Sequence, residues 1–469
     1  MGNQLDIPPY EAVAERDLEE VAPLDSPHWW RRQRRKRSFY RVYWRVLAQA
    51  GAASKRSADC GGALVLLVIL APLFLLFSVL LRMTGTAIFR TTPRAGRWCE
   101  EFSAYEFSTP DNAVGRLLKL CKLERLPLLF NILKGDLSFI GPRPVTPGEL
   151  PPRGHAMRAR YDVRPGLVCL WWIRQRANID YGTESESDRE YVENHTVRGD
   201  VGLALRAVPT LFYGQSAAEA PPVVNLFGLP LHNLTMTEAV EAIVDLCNQE
   251  GAHEVYFVNP HCANLAYRDH EYREILQRAS LSLGDGIGIK IAGKLLGQEI
   301  KQNTNGTDLF PRLCAALSRT QHKVFLLGGH PGGAEKVREW MAEQYPEVVV
   351  CGWHHGYFTP AEEPTVIQQI ADSQATLLFV AFGVPRQEKW IHRHVVSTGV
   401  TVALGVGGLF DFYSGRTPRA PQWLREIGGE WFYRLYQEPR RMWKRYVVGN
   451  AVFLLRVLRY RGDISVIGN

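Results

Sequence analysis

Residues Cys60–Leu81, CGGALVLLVILAPLFLLFSVLL, form 22 consecutive positions without a charged side chain. A run of that length reaches across a hydrocarbon core of about 30 Å, so this part of the chain must be reconciled with lipid. Two details argue against a plain crossing. Pro72 falls inside the run, where proline removes a helix hydrogen bond and bends the axis. Basic residues also flank both ends, Lys55 and Arg56 before, Arg82, Arg90, Arg94 and Arg97 after, and positive charge marks the cytoplasmic side. Two cytoplasmic ends predict a re-entrant hairpin over 60–81, which enters one leaflet, turns at Pro72 and leaves again.

A length of 469 residues predicts two or three folded units. The net charge of +7 is concentrated in RRQRRKR (Arg31–Arg37) and EPRRMWKRY (Glu438–Tyr446). Basic clusters interleaved with Trp and Tyr suit an anionic membrane surface rather than a nucleic-acid groove, so no nucleic-acid partner is expected. The eight cysteines are scattered, without a CxxC pair or Cys/His ligand spacing, which points to a reducing compartment and no structural zinc. The acidic, proline-containing residues 1–27 read as a disordered cytosolic lead rather than a secretory signal.

Residues 84–213 lack a clear strand and helix alternation, and GQSAAEAPP (Gly214–Pro222) reads as a linker. Beyond it, short β-rich runs alternate with helix-period stretches: VYFVN at Val255, VFLLG at Val324, VVVCG at Val348, TLLFVAFG at Thr376 and VTVALGVG at Val400. Thr235 and Glu238 form a capping box ahead of the first helix. Such alternation predicts an α/β unit with a mostly parallel, helix-covered sheet that binds ligands at the carboxyl ends of its strands. The final stretch is helical, basic and aromatic.

The polar candidates fall at those strand ends. Asn259 follows one strand, Asp285 sits in a glycine turn before a helix, and NGTDLF supplies Asn305, Gly306, Thr307 and Asp308. In LLGGHPGG, Gly328 and Gly329 let backbone amides approach a phosphate. Gln387 and Glu388 lie at another such edge. The plain reading of any one of them is a cap or a tight turn; five at successive strand ends favour a ligand site. The unit has no Asp-x-Asp metal clamp for a nucleotide diphosphate, so charge on a leaving phosphate must be met by arginine, and the tail offers Arg434, Arg440, Arg441 and Arg445. A lipid-facing patch is the plain reading of those four.

FVNPHCANLA, LGDGIGI, NGTDLF, LLGGHPG, GWHHGYF, AFGVPRQEKWI, GVGGLFDFYSGRTPRAP and EWFYRLYQEPRRMWKRY occur in an order and spacing that resemble the WecG/TagA/CpsF glycosyltransferases, over about residues 224–455. The resemblance implies a Rossmann-like α/β domain. It implies inverting, metal-independent transfer of a hexose or N-acetylhexosamine-type sugar from a UDP-sugar to a polyprenyl-diphosphate-linked sugar, in bacterial cell-surface polysaccharide or exopolysaccharide synthesis. On it, Asp285 is the general base, Asn259 a pocket residue, and Arg434 and Arg441 meet the diphosphate, with Lys444 or Arg445 as a third. Asn305, Gly306, Asp308, Gly328, Gly329, Gln387 and Glu388 complete the expected substrate site. Phe257 is a departure, where some members have Thr.

The first half similarly resembles the monotopic bacterial sugar transferases, through KRSAD, LPLLFNILKGDLSFIGPRP and YDVRPGLVCLW over about residues 55–213. That family moves a phosphosugar onto polyprenyl phosphate, and its membrane contact is also a re-entrant hairpin. Where the family has an Asp nucleophile and a Glu serving magnesium, this chain has Glu124 and Arg125; where it has Lys-Phe-Arg-Ser/Thr, this chain has Glu106-Phe107-Ser108-Thr109. One extra methylene moves a nucleophile by about 1 Å, a displacement that can cost about a hundredfold, and a permanent cation neither binds magnesium nor acts as a base. Asp136 and the phosphate-binding candidate Arg143 remain.

The expectation is a retained fold with a dismantled site, Glu124 and Arg125 forming a structural ion pair, and magnesium required only if that site works. The alternatives are a two-step enzyme with Glu124 as nucleophile, and a non-catalytic assembly scaffold. No strand followed by GxGxxG supports a nicotinamide-binding oxidoreductase. The expected organisation is a lead over 1–54, a sugar transferase-like domain over 55–213, a linker over 214–223, a glycosyltransferase domain over 224–430 and a basic aromatic tail over 431–469. The expected location is the cytoplasmic face of the bacterial inner membrane, held by a monotopic anchor among lipids, with homo-oligomers an open expectation.

Overall fold

The computed structural model describes residues 27–121, 123–149, 159–177, 183–213 and 220–467. The lead over 1–26 and most of the linker lie outside them. The described chain divides into two compact units: the first takes residues up to 139 with 144–149 and 194–200, and the second takes 140–143, 159–193 and the chain from 201 onward, apart from the undescribed gaps.

The first unit is led by helix α1, Pro27–Met83. Its Gly51–Met83 portion is long and apolar enough to cross a membrane. The helix carries through Pro72 without non-helical residues. Leu64, Val65, Val68, Ile69, Leu75 and Leu76 face outward, while Phe77 and Leu81 are buried with Phe107 and Leu118. Strands β1 (Phe89–Ala95) and β2 (Glu101–Phe107) form an antiparallel ribbon, followed by α2 (Ala113–Cys121) and α3 (Leu128–Lys134). Fully buried Asn131 ties α3 to β2. Its Nδ2 donates to Ser103 O (2.8 Å) and Asp136 Oδ2 (3.0 Å), and its Oδ1 accepts from Tyr105 N (2.9 Å). Helix α1 meets α3 at two well-separated places. Arg56 donates to Ile132 O and Leu133 O at 2.5 and 2.7 Å, and the Phe74 ring lies 5.7 Å from that of Phe130.

In the second unit, α4 (Leu170–Ala177), α5 (Glu184–Asn194) and α6 (Val197–Tyr213, from residue 201) precede an eight-stranded sheet. Its strands are β3 (Val223–Leu226), β4 (Leu229–His232), β5 (His253–Val258), β6 (Leu281–Gly284), β7 (Lys323–Gly328), β8 (Val349–His354), β9 (Leu377–Ala381) and β10 (Val402–Gly405), in the spatial order β8-β7-β9-β10-β5-β6-β4-β3. Only the β3–β4 pair is antiparallel. Central strands such as LLFVA in β9 are buried throughout because helices cover both faces, which is why they read as unbroken apolar runs.

One face packs on α7 (Met236–Cys247), α10 (Gly306–Leu317) and α11 (Gly333–Gln344). The other packs on α8 (Pro260–Ala266), α12 (Arg386–Thr398) and α15 (Gly449–Ile467), with α9 (Ile287–Leu295) beside them. The expected capping box is present: Thr235 Oγ1 accepts from Glu238 N, and Glu238 Oε2 accepts from Thr235 N.

Candidate active site

Strands β5 and β10 lie side by side where the two halves of the sheet meet, the position at which open α/β sheets form a crevice. A cleft opens there, lined by Phe257 and Asn259 after β5, Asp285 after β6, the Gly405–Leu409 turn after β10, and Arg434, Arg441 and Arg445 from the tail. A second, larger cavity adjoins it, with Ile287, Ile291, Trp431, Val447, Phe453 and Leu454 as an apolar wall. Asn259, Asp285, Thr307, Arg434 and Arg445 line both, so the two chambers share a polar wall.

Local folding fixes that wall. Asn259 is the N-cap of α8; its Oδ1 accepts from His261 N and Cys262 N at 3.0 and 3.1 Å, which turns its Nδ2 to Asp285 Oδ2 at 3.3 Å. Asp285 is held by its own N–H to Val258 O (2.9 Å), and the next amide, Gly286 N, donates to Asn303 Oδ1 (2.6 Å). Burial raises the Asp285 carboxyl above its ordinary range; the Asn259 bond and the charges of Arg434 and Arg445 pull the other way. Beside it, burial and the Arg445 charge push His261 down to about 4, so this ring is neutral near neutral pH.

The tail arginines differ in their engagement. Arg434, on α14 (Glu430–Gln437), lies over the Phe412 ring at 4.5 Å. Arg441 is largely exposed and pairs with Glu438 at 2.9 Å. Arg445 sits on a π-helical turn, Trp443–Val448, and its buried Nε has no hydrogen-bond partner among the described residues. Such turns recur at functional sites.

The remaining expected residues spread outward. Gly306 lines the first chamber, and Asn305 and Asp308 line the second. Asn305 caps α10 through Asp308 N (2.8 Å), and Asp308 is paired with Arg419 at 2.7 Å. Gly329 lines a neighbouring groove with His330 and Lys336, while Gly328 packs against the Ala381 backbone. Gln387 reaches the first chamber, yet its Oε1 accepts from Gly383 N (3.2 Å) and Gly407 N (2.8 Å), stapling two strand-end turns together. Fully buried Glu388 lies behind it, accepts from Gln387 Nε2 at 2.9 Å and lines neither chamber.

Asp411, on the first chamber and not anticipated, follows the Gly407-Gly408 turn; burial raises its carboxyl, opposed by Arg441. The glycine pair before a short helix was its one signal in sequence. In the first unit Glu124 is buried, 3.9 Å from Arg125 Nε, and its Oε2 has no hydrogen-bond partner among the described residues. Glu106 is held by Arg90 at 2.7 Å. Arg143, in the second unit, is paired with Glu184 at 2.9 Å. Among the described residues no group of three or more His, Cys, Asp or Glu could hold a metal ion.

Comparison with known proteins finds two families along the chain. The Glycosyl transferase WecG/TagA/CpsF family matches residues 224–465, and the Bacterial sugar transferase family matches residues 50–214. N-acetylglucosaminyldiphosphoundecaprenol N-acetyl-beta-D-mannosaminyltransferase of Bacillus subtilis (strain 168) is 31% identical over 222 residues, 47% of this chain and 86% of that protein. Proteins of the same name from Staphylococcus aureus strains MW2 and NCTC 8325 / PS 47 are 32% identical over 247 residues, 52% of this chain and 94% of theirs. The chain is thus a glycosyltransferase that belongs to the WecG/TagA/CpsF family, with a domain of the bacterial sugar transferase family fused to it.

Proposed function

We propose that the chain moves a hexose or N-acetylhexosamine-type sugar from a UDP-sugar to a polyprenyl-diphosphate-linked sugar, with inversion and without a metal ion. The observation that carries this reading is the wall shared by the two chambers, with Asp285 on it and Arg434 and Arg445 beside it. The first chamber suits a nucleotide sugar by its polarity and its place at the strand ends, and the apolar wall of the second suits a lipid-borne acceptor. Asp285 takes the proton of the acceptor hydroxyl as its oxygen bonds to the anomeric carbon. The bond from that carbon to the diphosphate oxygen breaks, and UDP leaves with the electron pair. A single displacement inverts the carbon, and Arg434, Arg441 and Arg445 meet the charge on the departing diphosphate. The relatives' names place an N-acetylmannosaminyl group on a diphosphoundecaprenol-linked N-acetylglucosamine, the same classes of sugar and carrier.

The parallel sheet with its crevice between β5 and β10 supports a Rossmann-like reading of the second unit. For the membrane segment we infer re-entry, both ends lying on the cytoplasmic face. What supports this reading is the charge symmetry of the segment, with Lys55 and Arg56 before it and Arg82, Arg90, Arg94 and Arg97 after it, together with Pro72 inside the run. In the first unit, the residues present do not fit magnesium. A half-exposed guanidinium 3.9 Å from Glu124 stands where a cation would need oxygen. A retained fold without phosphosugar transfer follows. The buried, unpartnered Glu124 Oε2 is the observation that favours the second reading, a working nucleophile.

The test is nucleotide release by the detergent-solubilised full chain. UDP released only with a sugar-bearing polyprenyl diphosphate is the expected result. UMP released with bare polyprenyl phosphate establishes the second reading, and release of neither nucleotide overturns both.

A further inference from the structure

The tail arginine Arg434 is reached through an unusual support. Helix α13, Gln422–Glu426, is only five residues long, too short to be stable alone. Its one buried residue is not apolar but the carboxylate Glu426, 1% exposed. One oxygen of Glu426 accepts from Arg174 Nε at 3.0 Å and the other from Arg206 Nη1 at 2.9 Å. Arg174 is itself 3% exposed and also donates to Ser187 Oγ (3.3 Å) and Glu190 Oε1 (2.8 Å). All these residues belong to the second compact unit. The two arginines, however, come from the stretch matched by the bacterial sugar transferase family. From α13 the chain is tightly wound into α14: Gly428 N donates to Arg425 O and Gly429 N to Leu424 O, each at 2.8 Å, and Gly428, at φ +68°, packs on Ile287. Arg434 follows on the second turn of α14.

We propose that Arg174 and Arg206 are positioning residues for sugar transfer, acting through Glu426 to hold α13 and α14 so that Arg434 faces the chamber. The fused segment thereby completes the glycosyltransferase. This rests on the reading of Arg434 as a donor-diphosphate ligand, so the test separates the two. Arg174→Met, Glu426→Gln and Arg434→Ala are made in the full chain, with Arg189→Ala, from an exposed pair with Glu193, as a control. Three readouts are taken: hydrogen exchange across residues 422–437, UDP affinity, and the division of any rate loss between KM and kcat.

Arg174→Met and Glu426→Gln are expected to speed exchange in both helices and weaken UDP binding by about tenfold, with KM for the donor rising more than kcat falls. Arg174→Lys should recover part of both. If Arg174→Met does not fold, Glu426→Gln, which keeps the side-chain shape, decides alone. Exchange and UDP affinity within about twofold of the parent, while Arg434→Ala weakens UDP, overturns the proposal. If Arg434→Ala leaves UDP affinity unchanged, the assignment of Arg434 fails instead, and the exchange rates still decide whether Arg174 anchors the helix.

Discussion

Replacing Asp285 by Asn removes the proposed base and little else. The amide keeps an oxygen to accept from Asn259 Nδ2, so the wall retains its hydrogen bond. No other carboxylate is placed to take over, and burial leaves the neighbouring His261 ring a weak base. Asp308 and Glu430, the other acids on the second chamber, are engaged by Arg419 at 2.7 and 3.5 Å, and Asp411 lines the first chamber and not the second. General-base catalysis contributes about 10² to 10⁴ in rate. Without a substitute the loss should lie toward the upper end, about 10³ to 10⁴, or about 4 to 5.5 kcal/mol of barrier.

UDP affinity should hold or improve, since a carboxylate beside the phosphate-binding arginines is removed. The same substitution should raise thermal stability near neutral pH. The folded-state pKa of Asp285 is raised, so its contribution to stability is present below the ordinary carboxylate range and lost as pH rises through the raised value. A permanently neutral Asn escapes that loss. The assay is UDP release at saturating donor and acceptor, beside UDP titration calorimetry and a melt. Turnover within about tenfold of the parent would sink the assignment of the base, and a fall in UDP affinity as large as the rate loss would convert Asp285 into a binding residue.

Other consequences are equally direct. Arg434→Ala should weaken UDP by about tenfold to a hundredfold, as loss of a charge-assisted contact does, and calorimetry with UDP reads it. Burial pushes Glu388 up from 4.5 to about 7, so its stabilising share is fully present below about 4.5 and disappears as pH rises through about 7. Melts between about pH 5 and pH 8 should therefore show a decline that Glu388→Gln flattens. Gly328→Ala places a Cβ 2.7 Å from the Ala381 backbone at φ +127°; a cost of about 2–4 kcal/mol is expected, and an unchanged urea midpoint would show that the β7 turn relaxes.

What the sequence disclosed and what it withheld divide along physical lines. The runs at Val255, Val324, Thr376 and Val400 became strands because strands largely buried on both faces carry a continuous apolar signal in one dimension, and the run at Val348 became the half-exposed strand at the sheet's edge. The β3–β4 hairpin did not announce itself. Its two-residue turn places Phe227 at φ +56° and Gly228 at φ +82°, and the usual cue is Asn-Gly. Phe227 is held there by the rings of Phe453 and Tyr460, more than two hundred residues on.

At the site, Asn259 and Asp285 were legible because a cap and a strand-end turn are local events. Gln387 and Glu388 were legible as a motif and misleading as to contact: one staples backbone amides, and the other is buried behind it. The pairing of Arg174 with Glu426 across 252 positions has no local signature at all.

The wall between the chambers has one more consequence, for the economy of the donor. On the proposed reading, an acceptor chamber without its lipid presents only water to Asp285, and the activated sugar is then lost as free sugar. Filling that chamber with an apolar-tailed acceptor expels the water and supplies the hydroxyl in the same event. Productive turnover and protection of the donor therefore rise together with lipid occupancy, and the ordering of the two substrates is written into which of them removes water from the carboxylate.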